Sequence, residues 1–234
     1  MADSLQALEE EIITCRKCPR LVAWREEVAR TRRKAYRDQV YWGKPVPGFG
    51  DPAARVMVVG LAPGAHGSNR TGRMFTGDAS GNFLYSALHR AGFANLSTAD
   101  HLNDGLELKD VFITAICRCV PPKNRPTTDE MMNCLPWMAS EVEYLQNLQG
   151  FVALGRIALD GIRRMYRMQG HDLPKVDFLH NSFSDLGAGL PWLITSYHPS
   201  QQNTLTGRLT EAMFDAIWKR VNDLLNGSQE EDSG

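Results

Sequence analysis

Four short apolar runs punctuate the chain: RVMVVG (55–60), DVFITAIC (110–117), GFVALG (150–155) and LPWLITSYH (190–198). Their apolar positions are near-continuous rather than alternating, as in strands buried on both faces. A loop and then a helical pattern follows each, over 80–91, 128–148, 156–168 and 210–225. In the second pattern Met131, Met132, Leu135 and Met138 recur at three- and four-residue steps and share one helix face. Strands alternating with helices predict an α/β fold: three α/β/α layers around a central, mostly parallel four-stranded sheet. In such sheets ligands bind beyond the carboxyl ends of the strands, so the loops there are where chemistry is expected. Without an internal repeat or a composition break, one domain is expected over 1–225. An acidic, disordered tail is expected over 226–234.

Composition adds limits. The chain has 234 residues, 43% of them hydrophobic, enough to bury one sizeable core. No stretch approaches the roughly 20 consecutive apolar residues of a membrane span. The opening MADSLQALEEEIITC is acidic and amphipathic, unlike a signal peptide, so a soluble, cytoplasmic protein is expected. A net charge of −1 gives no bulk sign of a nucleic-acid partner. Its distribution does: nine cations lie between Arg16 and Arg37, opposed only by Glu26 and Glu27. Taken with Arg70, Arg73, Arg125 and Arg208 in loops, they make a surface that can track phosphates.

The candidate chemistry sits in three loops and five cysteines. GLAPGAHGSNRTGRMFTGDASG (60–81) follows the first strand and lacks the G-K-[ST] ending of a phosphate-cradling loop. Phe75 reads either as ordinary core or as a face for a planar ligand. Asp78, the only carboxylate there, reads either as a helix N-cap or as an acid–base group. Backbone N–H groups around Gly60, Leu61 and Ala62 can bond a heterocycle. Asn124, in PPKNRPT, has a turn-former's composition, and His198 ends the fourth strand. Cys15 and Cys18 form one C-x-x-C pair, while Cys119 and Cys134 straddle a loop and a helix. That spacing suits a four-thiolate iron–sulfur cube better than two-knuckle zinc. Cys117 lies two residues before Cys119, and spacing does not exclude it.

Together, the 60–81 loop, CVPPKNRPT (119–127) and SYHPSQQNTLTGRLTE (196–211) resemble the uracil-DNA glycosylase superfamily. The resemblance is to its type-5 branch, bacterial and archaeal enzymes that carry an iron–sulfur cluster, and it spans Cys15 to about Arg220. It implies a monofunctional hydrolase of N-glycosidic bonds. Such an enzyme flips uracil, and by extension hypoxanthine or xanthine, out of DNA and leaves an abasic site for base excision repair. It implies a 4Fe–4S cluster held by Cys15, Cys18, Cys119 and Cys134, with Cys117 spare and the cluster structural. Leu61 and Ala115 stand where the type-4 branch carries glutamate and asparagine, and their apolar character implies a broader base range.

By the same resemblance, the base stacks on Phe75 against Gly60, Leu61 and Ala62. His198 stabilises the departing base, and Asp78 and Asn124 position the water. Arg73, Ser200, Leu205 and Arg208 contact DNA, with Leu205 as the minor-groove wedge. The partners implied are duplex DNA with deaminated bases and single-stranded DNA, met by a monomer. The competing readings are a narrower, type-4-like uracil enzyme and a non-catalytic iron–sulfur module that binds DNA or senses redox state.

Overall fold

Residues Val56–Gly60 form β2, and their side chains alternate between two hydrophobic layers. Val58 points to the same side as Ile113, Val152 and Ile194, its neighbours across the sheet. Met57 points to the other side with Phe112, Phe151 and Leu193. Both rows are buried, which is why the four strands read as unbroken apolar runs.

The computed structural model describes residues 4–231. In chain order the elements are α1 (Leu5–Thr14), α2 (Pro19–Thr31), β1 (Phe49–Gly50), β2 (Val56–Gly60), α3 (Ser68–Thr71), α4 (Ala79–Arg90), β3 (Val111–Ala115) and α5 (Thr128–Tyr144). They continue with β4 (Gly150–Leu154), α6 (Arg156–Met168), β5 (Ser182–Ser184), β6 (Trp192–Ser196), α7 (Gln201–Leu205) and α8 (Glu211–Glu231). The sheet runs β1-β3-β2-β4-β6-β5. The four expected strands, β2, β3, β4 and β6, are its parallel centre. Two short antiparallel strands, β1 beside β3 and β5 beside β6, extend it to six. At two and three residues they are too short to carry an apolar signature of their own.

Leu84, Leu88, Phe214, Ile217 and Trp218 from α4 and α8 cover one face of the sheet. Leu135, Met138, Leu159, Ile162 and Met165 from α5 and α6 cover the other. The three-layer expectation therefore holds. The predicted helix over 156–168 coincides with α6. The one over 128–148 ends early, at a cap on Leu145. α8 continues to Glu231 through most of the stretch expected as a disordered tail, and residues 232–234 lie outside the described residues.

β2 has β3 on one side and β4 on the other, so the connections leaving the sheet centre diverge. Divergence opens a crevice at the carboxyl ends of the strands.

Candidate active site

A cavity of about 730 Å³ occupies that crevice. Leu61 and Ala62 reach it from the end of β2, Ala115 from β3, Asn124 from the Pro-rich turn, and His198 and Ser200 from the segment after β6. Phe75 and Asp78 reach it from the loop before α4. Gly60, expected to touch a ligand, does not line the cavity. It lies under Phe75, where a Cβ on residue 60 would come within 2.9 Å of the ring. Its lack of a side chain is what lets the ring settle.

Phe75 has φ 52°, a conformation unusual for an aromatic residue. Its ring is half-buried and lies 5.9 Å from the His198 imidazole, centroid to centroid, tilted by 30°. Burial pulls the His198 pKa down to about 4, so the imidazole is neutral at pH 7. Its backbone carbonyl accepts from Asn203 Nδ2 at 2.8 Å, and among the described residues the ring nitrogens have no partner.

The two oxygens of Asp78 face different ways. Oδ1 accepts from the Gly81 amide at 3.0 Å and caps α4. Oδ2 lies against Gly64 and Gly67 at the cavity wall. Burial raises the Asp78 pKa, against the opposing pull of the Gly81 and Ser80 amides and of Arg70.

The two arginines of this loop brace it. Arg70 donates to the His66 carbonyl at 2.7 Å, the Gly77 carbonyl at 2.8 Å and Gln39 Oε1 at 2.7 Å. Arg73, expected at the DNA surface, is instead 2% exposed and bidentate to Asp104 at 2.8 and 2.6 Å, with its guanidinium over Phe49. A side chain so enclosed reaches no phosphate.

Ser200 caps α7, accepting from the Asn203 amide at 3.4 Å. Leu205 and Arg208 lie outside the cavity lining. Leu205 is 83% exposed, and Arg208 stands over the Tyr197 ring at 4.7 Å. Asn124 and its neighbour Lys123 both have positive φ, 54° and 55°, in the turn that turns residue 124 to the cavity. Arg33, Tyr36 and His66 also line the cavity, and no role was read for any of them individually. His66 lay within the quoted motif, whereas nothing local to 33–36 signals closeness to a loop thirty residues further on.

The match to known proteins follows these same segments. A family model described as the uracil DNA glycosylase superfamily matches residues 47–222. A type-5 uracil-DNA glycosylase of Mycobacterium leprae is 48% identical over 224 residues, 95% of this chain and 96% of that protein. One from Thermus thermophilus is 50% identical over 210 residues, 89% of this chain and 93% of its own. The chain belongs to the type-5 uracil-DNA glycosylases. A type-4 uracil-DNA glycosylase of Pyrobaculum aerophilum is more distant, at 32% identity over 197 residues, 84% of this chain and 83% of that one. Leu61 and Ala115, the two positions expected to set this type-5 glycosylase apart from the type-4 branch, both face the cavity.

The glycosylase's cysteines gather elsewhere. Cys15, Cys18, Cys119 and Cys134 line one small crevice with Arg25, Arg118 and Asn133. Among the described residues no three His, Cys, Asp or Glu side chains stand as a ready metal site. The donor set nonetheless fits a thiolate-bound group. Arg25 is 2% exposed and has no carboxylate partner among the described residues. It donates to Cys119 Sγ at 2.9 Å and to the Cys15 carbonyl at 3.2 Å. An unpaired buried guanidinium costs several kcal/mol, about 3–5 in broken pairs, unless an anion answers it, and here sulfur lies within its reach. Asn133 Nδ2 points at Cys18 Sγ from 3.6 Å. Cys117 is outside the crevice lining. β3 ends at Ala115, so strand alternation does not govern where Cys117 and Cys119 point.

Proposed function

We propose that this glycosylase takes a uracil nucleotide out of DNA into the 730 Å³ cavity and hydrolyses its N-glycosidic bond, leaving an abasic site. The observation that carries the reading is that Phe75 and Asp78, from the loop before α4, line one cavity with His198, from the distant segment after β6. Extrusion costs a few kcal/mol of stacking and pairing, least at a mismatch. The base stacks on Phe75, with the backbone of Leu61 and Ala62 at its edge. As the bond breaks, negative charge moves onto the base, and the neutral His198 donates an N–H to it. Such a bond strengthens in the transition state, where it accelerates the reaction. Asp78 Oδ2 accepts a proton from water and orients it toward the sugar carbon, with Asn124 holding the water or the base.

Leu61 and Ala115 set no polar test on the base, so hypoxanthine and xanthine are substrates beside uracil. The described cavity lining contains no lysine, in keeping with hydrolysis without a Schiff base. Cys15, Cys18, Cys119 and Cys134 are the residues that would hold a 4Fe–4S cluster. When bound, it supplies a cross-link between the start of α2, the Cys119 turn and α5. The enzyme works as a cytoplasmic monomer on duplex and single-stranded DNA, with Ser200, Leu205 and Arg208 against the duplex.

The test is incubation with oligonucleotides carrying uracil, hypoxanthine or xanthine, followed by alkali. Strand breaks at all three are expected. Breaks at uracil alone would remove the broad range, and none at uracil would remove the reading.

A further inference from the structure

The segment after α2 leaves the helix through Arg32, whose φ is 51°, and crosses to the mouth of the cavity. There it is fastened to the loop that carries Asp78. The Arg33 amide donates to Tyr41 Oη at 3.4 Å, and Tyr41 Oη bonds His66 Nδ1 at 3.0 Å. The Trp42 amide donates to the Arg70 carbonyl at 2.9 Å and the Gly43 amide to the Asn69 carbonyl at 3.1 Å. The Arg70 guanidinium lies 4.2 Å from the Tyr36 ring centroid and bonds Gln39. Arg70 thus has its donors occupied within the protein. It ties the strap to the loop and is not itself a free cation.

The strap carries cations with little to neutralise them. No carboxylate occurs from Val28 to Arg37. Arg30 pairs with Glu27, and Arg37 lies 3.7 Å from Asp38 in an exposed contact. Arg33 and Lys34 are exposed and have no ion pair among the described residues. Arg33 and Tyr36 line the same cavity as Gln201 and Gln202 of α7, so strap and α7 both wall it. A nucleotide held in that cavity brings its neighbouring phosphates to this wall, where an arginine or lysine answers each charge.

We propose that Arg33 and Lys34 form a second DNA-backbone site, taking the phosphates that flank the flipped nucleotide, beside the contacts of α7. The proposal rests on the glycosylase reading of the cavity and adds a surface to it. Fixed to the Asp78 loop, the strap engages the strand without sequence preference, because phosphates carry none.

The test is an Arg33→Gln/Lys34→Gln double variant of the full chain, with Arg167→Gln/Lys175→Gln as a control. The control removes equal charge from the last turn of α6 and the segment after it, at two exposed residues outside the cavity lining. Binding to a uracil-free duplex is measured between about 50 and about 200 mM salt, and the single-turnover release of uracil at saturating enzyme. The double variant is expected to lower the slope of log K against log salt by about 2, near 0.9 per lost phosphate contact. Its melting temperature should stay at the wild-type value, and the control should keep both the full slope and the wild-type saturated rate. An unchanged slope in the folded double variant overturns the proposal. So does an equal fall in slope in the control, or a lower saturated rate with the slope intact. Failure of the wild type to release uracil at all would strike the parent reading and leave the slope measurement independent.

Discussion

Asp78 and Gly67 stand so close that a Cβ on residue 67 would lie 2.0 Å from Asp78 Oδ2. The other oxygen is held by the Gly81 amide, so the carboxylate cannot swing aside without giving up the cap on α4. Gly67→Ala must therefore move the acid or the loop. Its single-turnover rate on uracil-containing DNA is expected to approach that of Asp78→Asn, a fall of about 100- to 10,000-fold. Asparagine still caps the helix, so Asp78→Asn should remain folded and bind DNA. A fully active Gly67→Ala would show that Asp78 is not held for catalysis.

The pH dependence follows from two shifts of opposite sign. The proposed mechanism needs Asp78 as the carboxylate, and burial lifts its pKa. The acid limb of the rate therefore lies at higher pH than for an exposed aspartate. His198, pulled down to about 4, is already neutral well below pH 6.5. The single-turnover rate should rise through the Asp78 limb and show no further step near pH 6.5. His198→Asn should lower that rate by about 100- to 1,000-fold. A wild-type step near pH 6.5 that disappears in His198→Asn would instead mean that a charged imidazole acts.

Two arginines separate stability from binding. Arg73→Gln takes the charged partner from the half-buried Asp104, which keeps its three amide donors. It also puts an amide in the buried site of the guanidinium, so it should cost about 3 kcal/mol. At about 2–4 °C per kcal/mol for a chain of this size, the melting temperature should fall on the order of 10 °C. Arg208→Gln, at the exposed end of the α7 segment, should change stability by less than about 0.5 kcal/mol. Its salt slope for DNA binding should fall by about 1. Calorimetry and a salt titration on the two variants decide the matter, and the reverse pattern would refute both assignments.

Arg25 offers a readout of the sulfur crevice that does not depend on cleavage. Removing its charge takes away the donor to Cys119 Sγ. Arg25→Gln should come from cells with less iron per chain, weaker visible sulfur-to-iron absorption and a lower melting temperature. Full iron content in that variant would show that the guanidinium plays no part in holding the group.

Leu205, apolar and 83% exposed, has no packing role to lose. Leu205→Ala should keep wild-type stability and single-strand activity and lose most of its activity on duplex. Equal losses on both substrates would reject the wedge.

Much of this molecule was legible in one dimension. The four parallel strands and α4, α5, α6 and most of α8 follow from near-continuous apolar runs and three- and four-residue periodicity, because burial on both faces leaves a local record. β1 and β5 left none. They exist because β3 and β6 offer an edge to pair with, and a two- or three-residue strand has no pattern of its own. Phe75, Asp78, Asn124 and His198 could be picked out because each sits in a long motif at a strand's end. Arg73 stands in the same motif but is buried. Its charge suggested phosphate, and only its burial beside Asp104, thirty-one residues further along the chain, assigns it to the scaffold.

By itself the sequence determined the layered α/β order, the family and the segments from which a site would be drawn. The tertiary structure decided which atoms of those segments meet: that Asp78 caps with one oxygen and faces the cavity with the other, that Gly60 underlies Phe75, and that the 33–37 strap joins the cavity wall. The physical reason is range. Periodicity and capping are written in neighbouring residues. Burial, ion pairing and close approach depend on which distant segments the folded sheet brings within a few ångströms.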